Sequence, residues 1–191
     1  MRKFLIFLSI IMVLMYFTTS STKEVPVEVE THINIEIVAE EGIEIEPFKE
    51  ALAKVPGDII KGFVDNNWSL FIVKDLEKGG SINYEKKRIT VNAVPYQEDM
   101  NLIHEMGHYL DYSLNFISGN EEFLELYESN KDYIEYIYRN VSDIVEEEEL
   151  RYCVSNEREF FASVFKDYIL YNSYVKTNYA DLYAFMECIL K

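Results

Sequence analysis

Two of the three histidines in this 191-residue chain stand four residues apart, in His104-Glu105-Met106-Gly107-His108. The surrounding stretch, Met100 to Leu114, is apolar and compatible with a helix. On a helix, residues i and i+4 share a face about one turn apart. Both imidazoles can then reach one metal ion, at roughly 2.0–2.1 Å for zinc–nitrogen bonds. Glu105 follows the first of them, where its carboxylate can take a proton from a water on that ion. The fold must therefore hold a helix with a polar patch turned inward, and bring a further ligand to it.

A catalytic zinc normally takes three protein ligands and keeps one position for water. The metzincin spacing would need glycine at 111 and histidine at 114, where this chain has Asp111 and Leu114. That class is excluded, and downstream carboxylates remain. Asp111 lies so close in sequence that it suits a supporting role, accepting a hydrogen bond from a ligand histidine and fixing its tautomer; the alternative is an exposed helix aspartate. Glu157 and Glu159 open a later helical stretch, Asn156–Tyr171, just ahead of Phe160-Phe161-Ala162. Periodicity does not choose between these two glutamates. Asn156 with Glu159 three residues on also reads as a capping box.

The N-terminus carries Arg2 and Lys3, an apolar run from Phe4 to Phe17, and small residues at Thr18-Thr19-Ser20-Ser21. This is the pattern of a signal peptide over residues 1–21, with a mature domain over 22–191. An uncleaved anchor is the alternative, although the run is short for a bilayer span. The net charge of −16 becomes more negative when Arg2 and Lys3 leave. Such a chain repels phosphate backbones, which argues against nucleic acid as a partner. Cys153 and Cys188 are the only cysteines, and both a disulfide and two free thiols fit. An apolar share of 49% excludes a disordered chain.

Along the chain, Thr31–Val38 alternates with Ile33, Ile35 and Ile37 on one face, a half-buried strand with His32 on the other side. Short helices are predicted over Phe48–Val55 and about Asp58–Val64. Strands follow over Trp68–Lys74, Ser81–Glu85 and Lys87–Ala93, with a turn at Lys78-Gly79-Gly80-Ser81. From Pro95 the pattern is helical: about Glu98–Phe116, Glu121–Asn140, Asn156–Tyr171 and Lys176–Ile189. Strands first and helices second give an α+β class, a small mixed sheet followed by a mainly helical half. The acidic run Glu146 to Glu149 is a solvated loop or helix face, since no spaced oxygen-ligand loop for calcium is present.

The HExxH helix, then Asp111, then Tyr152 seven residues before Glu159-Phe160-Phe161-Ala162-Ser163-Val164-Phe165, resembles the catalytic domain of anthrax lethal factor. It also resembles the small secreted Pro-Pro endopeptidases of Gram-positive bacteria, whose size and signal peptide are the nearer match. The likeness covers about residues 31–190. It implies Glu159 as third zinc ligand, a gluzincin pattern, and Tyr152 as a hydroxyl aimed at the developing oxyanion. Upstream, Trp68 followed by Gly79-Gly80-Ser81 matches in order and approximate spacing. The resemblance implies that the tryptophan lines the cleft and that the Gly-Gly-Ser edge strand pairs with substrate backbone. Glycine allows such close approach, and an edge strand can take a peptide as a further strand. A core tryptophan and a plain hairpin turn are the alternatives. The family commonly has an acid four residues after the ligand glutamate; this chain has Ser163 there.

The expectation is thus a secreted, monomeric zinc metalloendopeptidase with one Zn²⁺ per chain. His104, His108 and Glu159 would be ligands and Glu105 the base. Its partner would be a protein or peptide, proline-rich where a Pro-Pro preference holds, with no lasting membrane association after signal cleavage. The rival expectations are a toxin-like protease of other specificity and a non-catalytic zinc-containing binding protein.

Overall fold

The structure, a computed structural model, describes residues 35–94, 98–139 and 147–191. The signal-peptide stretch, the start of the expected first strand with His32, and Glu146 lie outside the described residues. The observed architecture is α+β. A four-stranded sheet is built by β1 (Glu36–Ala39), β2 (Ser69–Val73), β3 (Gly80–Asn83) and β4 (Arg88–Asn92), in the order β1-β2-β4-β3. The first three in that order are parallel, and β3 runs antiparallel to β4 at the edge. Leu70 and Ile72 of β2 and Ile89 and Val91 of β4 alternate with half-buried neighbours, so one face of the central strands makes the core.

Two short helices, α1 (Glu46–Leu52) and α2 (Gly57–Asp65), separate β1 from β2. Pro47 suits the first turn of α1, where its missing N–H has no partner to lose. The helical half holds α3 (Glu98–Ser113), α4 (Glu121–Ser129), α5 (Glu147–Leu150), α6 (Glu157–Leu170), α7 (Asn172–Asn178) and α8 (Ala180–Ile189). Helices α3 and α6 form the main helix pair of the molecule. On α6, Phe160, Phe161, Val164 and Phe165 are wholly buried; Phe160 and Phe161 pack on Phe123, which also meets Phe185, and Phe160 packs on Tyr133. Each such side chain is worth about 1.5–3 kcal/mol of burial. No helix among the described residues is long and apolar enough to cross a membrane.

Two expected helices are shorter than their patterns. The one from Glu121 ends at Ser129, because the Asn130 amide turns back to the Leu126 carbonyl and out to Asp181. The chain then drops Tyr133 into the core and leads through a single 3-10 turn, Tyr136–Tyr138. The last helical stretch is broken at Tyr179 (φ −141°, ψ 63°), whose ring packs on Tyr133 and Tyr174. In both places tertiary packing of an aromatic ring overrides a locally helical sequence. Cys153 is buried and Cys188 exposed, and both are free thiols.

Asp167 ties the Tyr133–Tyr138 segment to α6. Its Oδ2 accepts from the Tyr133 hydroxyl at 2.6 Å and from the Tyr136 backbone N–H at 2.8 Å. Burial pushes its carboxyl up to about 6, against the pull of Lys166. A carboxyl raised on folding favours the protonated native state, so its contribution is complete below pH ~4 and is lost as pH rises through 6. The difference is about 3 kcal/mol. Asp167→Asn is expected to gain thermal stability over the wild type at pH 7.5 and to lose that advantage at pH 4.5. A gap of equal size at both pH values would show that Asp167 does not titrate in this range.

Candidate metal centre and cleft

The buried side of α3 carries His104, Glu105 and His108, with Glu105 only 6% and His108 only 7% exposed. The two imidazole centroids are 4.9 Å apart. Facing them is the first turn of α6. Asn156 takes an extended backbone there (φ −159°), and its Oδ1 accepts from the N–H groups of Arg158 and Glu159 at 3.0 and 3.1 Å. Asn156 therefore caps the helix as the sequence suggests, but Glu159 does not return the bond. Its carboxylate turns across the gap instead, with Oε2 3.1 Å from His104 Nε2 and 3.4 Å from His108 Nε2. One donor atom from each of the three residues lies within 4.8 Å of the others. Glu157 is not part of this group.

Gly107 is what lets the two helices come so near. A Cβ at that position would lie 2.8 Å from Ala162 Cα and 3.1 Å from its carbonyl oxygen. Backbone meets backbone at the level of the three donors.

The electrostatics suit a metal. Burial lowers the His104 imidazole despite Glu159, which keeps it neutral and able to donate a lone pair. Burial also pulls His108 down, but Glu159, Glu105 and Asp111 outweigh it and the net shift is upward. Burial would raise Glu159, yet the two histidines hold it well below the usual carboxylate range. Burial pushes Glu105 up to about 7, with His108 opposing and Glu159 adding. The Glu105 Oε2 is buried without a hydrogen-bond partner. Two imidazoles and a carboxylate, with an unpartnered carboxylate oxygen beside them, fit the donor set of a divalent ion that keeps one position for water.

These groups open into a cleft of about 350 Å³. One side is the Lys78–Gly80 edge with Met100 and Asn101; the other is Glu135, Ile137, Tyr138, Tyr152 and Lys166. Gly80 lies directly on the base, since a Cβ there would be 2.5 Å from Glu105 Oε1. Tyr152 stands at the cleft, 49% exposed, on the 3-10 turn Tyr152–Val154. Burial, together with the nearby Glu159 carboxylate, raises its phenol far above the ordinary value. It stays protonated and able to donate.

No protein-family model and no curated protein matches the sequence. A solved structure does: the Pro-Pro endopeptidase of Paenibacillus alvei, with a TM-score of 0.58 and 18% identity. The match covers 82% of this chain and 98% of that one. The shared property is the fold. The chemistry of the cleft is argued from this chain's own residues.

Of the residues singled out in the sequence, His104, His108 and Glu159 converge, Glu105 sits beside them, and Tyr152, Gly79 and Gly80 line the cleft. Ser81 is exposed on β3, paired in register with Thr90. Two expectations change. Trp68 is 3% exposed and packs among Phe63, Tyr84, Tyr109 and Tyr112. It is a core residue, because the aromatic cluster under α3 encloses it before it can reach the cleft. Asp111 is wholly buried, and its two oxygens accept from the N–H and hydroxyl of Ser118, both at 2.8 Å. Its hydrogen bonds hold the turn after α3, and it acts on His108 through its charge. Glu135 and Lys166, in the opposite wall, were not singled out. Lys166 could have been, since it lies seven residues after Glu159 and so on the same helix face; Glu135 sits in a loop that the pattern disguised as helix.

Proposed function

We propose that this chain is an exported zinc metalloendopeptidase with a preference for bonds between prolines. The observation that carries the peptidase reading is the convergence of His104, His108 and Glu159 next to the unpartnered carboxylate of Glu105. Zinc held by those three residues would supply a polarised water and a Lewis acid for the scissile carbonyl. Glu105 takes the proton of the attacking water and returns it to the leaving nitrogen, which suits a carboxyl raised to about 7. The Tyr152 hydroxyl donates to the carbonyl oxygen as that oxygen gains charge. β3 is a sheet edge at the cleft, so an extended peptide can add to it as a further strand and be carried past Glu105. Support for the proline preference comes from the shared fold and the Gly79-Gly80-Ser81 edge, and no longer from Trp68. Export rests on the N-terminal charge and apolar run.

The test is cleavage mapping of a mixed peptide library by mass spectrometry, using the chain from about residue 22 with and without zinc removal by a chelator. Zinc-dependent cuts between two prolines are expected. Zinc-dependent cuts elsewhere would keep the peptidase and overturn the specificity. No zinc-dependent cut at all would overturn both.

A further inference from the structure

We infer that Glu135 is a positioning residue for the metal centre, acting through the Ser163 hydroxyl on Nδ1 of His104. The inference rests on the proposed zinc site. A histidine that offers Nε2 to a metal needs an acceptor behind Nδ1–H, which fixes its tautomer, its orientation and its basicity. In this chain the atom behind His104 Nδ1 is the Ser163 Oγ, 3.5 Å away. A lone hydroxyl is a weak acceptor, but this one lies against the Glu135 carboxylate and helps to hold it below its ordinary value. Ser163 can accept from Nδ1–H and direct its own O–H at Glu135, so that the carboxylate's charge reaches the imidazole across one hydroxyl.

The rest of the arrangement keeps Glu135 in that role. It is buried, and its Oε2 receives the Lys166 ammonium at 2.6 Å, so the charge is held in place. Ser163 and Lys166 follow Glu159 at four and seven residues on α6, so ligand, relay and anchor occupy one helix face. The segment that carries Glu135 is itself pinned to α6 by the Tyr133 and Tyr136 bonds to Asp167. Lys166 holds the Glu135 carboxyl below its ordinary value against burial, so it stays charged beside the hydroxyl.

The experiment is a double-mutant cycle read out as zinc affinity, by competition with a chromogenic chelator, on the full mature chain. Ser163→Ala leaves the Glu135–Lys166 pair intact and removes only the relay. It is expected to weaken zinc binding by roughly 10-fold or more, and Glu135→Gln by a similar factor. Because both act along one route, the double variant should bind no more weakly than either single one. In NMR spectra of the zinc-loaded wild type, the His104 Nδ1–H should be protected from exchange, and S163A should lose that protection. Unchanged affinity and unchanged protection in S163A overturn the inference, as do losses that simply multiply in the double variant. If E135Q fails to fold with Lys166 unpaired, S163A and the Nδ1–H signal still decide. A wild-type chain that binds no zinc overturns the proposed function itself; a wild type and S163A that bind it equally overturn only the positioning role.

Discussion

Glu105→Gln is expected to cut peptide hydrolysis by roughly 10²–10⁴-fold while zinc stays bound. The three donors that converge are His104, His108 and Glu159, and Glu105 is not among them. Glutamine has nearly the same volume, so the close contact with Gly80 survives. What is lost is the ability to accept a proton and hand it on. The effect should fall on kcat, since β3 and the cleft walls that would hold substrate are untouched. Turnover of the best library peptide and zinc content by atomic absorption measure the two halves separately. Near-normal hydrolysis by the variant would remove Glu105 as the base. Loss of zinc along with activity would mean that Glu105 belongs to the ligand set.

Gly107→Ala should have the second large effect, and its sign is the informative part. In an open helix this change stabilises by about 1 kcal/mol, because glycine is a poor helix former. Here the new methyl would stand 2.8 Å from Ala162 Cα, 3.1 Å from the Ala162 oxygen and 3.2 Å from its Cβ. Overpacking of that kind costs about 1–3 kcal/mol. The helices relieve it by moving apart, which draws Glu159 away from the two histidines and weakens zinc binding as well. Urea unfolding and chelator competition should show both losses. Adding Ala162→Gly should recover only part, because two of the three close atoms are Ala162 backbone. A Gly107→Ala variant that unfolds at higher urea than the wild type would contradict the close packing of α3 on α6.

The parts of this site that depend on local spacing were legible in the sequence. His104, Glu105 and His108 are set by one turn of one helix. The order of sheet and helices follows from the change of hydrophobic period along the chain. The capping signal at Asn156 was real, and it obscured Glu159 only because the same residue can serve a helix end or face across it. The choice between them depends on what lies opposite, which periodicity does not report. Trp68 was misplaced for the same reason: an aromatic residue at the start of a strand points to either face, and Phe63, Tyr109 and Tyr112 decide which. Asp111 has the spacing of a histidine partner, but Ser118, seven residues on, competes for it and takes both oxygens. Glu135 was the least legible. Its position depends on the helix from Glu121 stopping at Ser129, and that stop is made by long-range bonds to Asp181 and Asp167.

The contact of Gly80 with Glu105 joins two tasks that could have been separate. In the proposed peptidase β3 would be the rail along which a peptide aligns, and the same strand would be the clamp on the group that moves the proton. A peptide long enough to run along the rail stiffens it and, through Gly80, holds the carboxylate at one distance from the bond to be cut. A short peptide that reaches the metal alone leaves the clamp slack and loses turnover more than binding. By the same coupling, a rigid strand mimic gripping Lys78 to Asn83 would silence the centre without touching the metal.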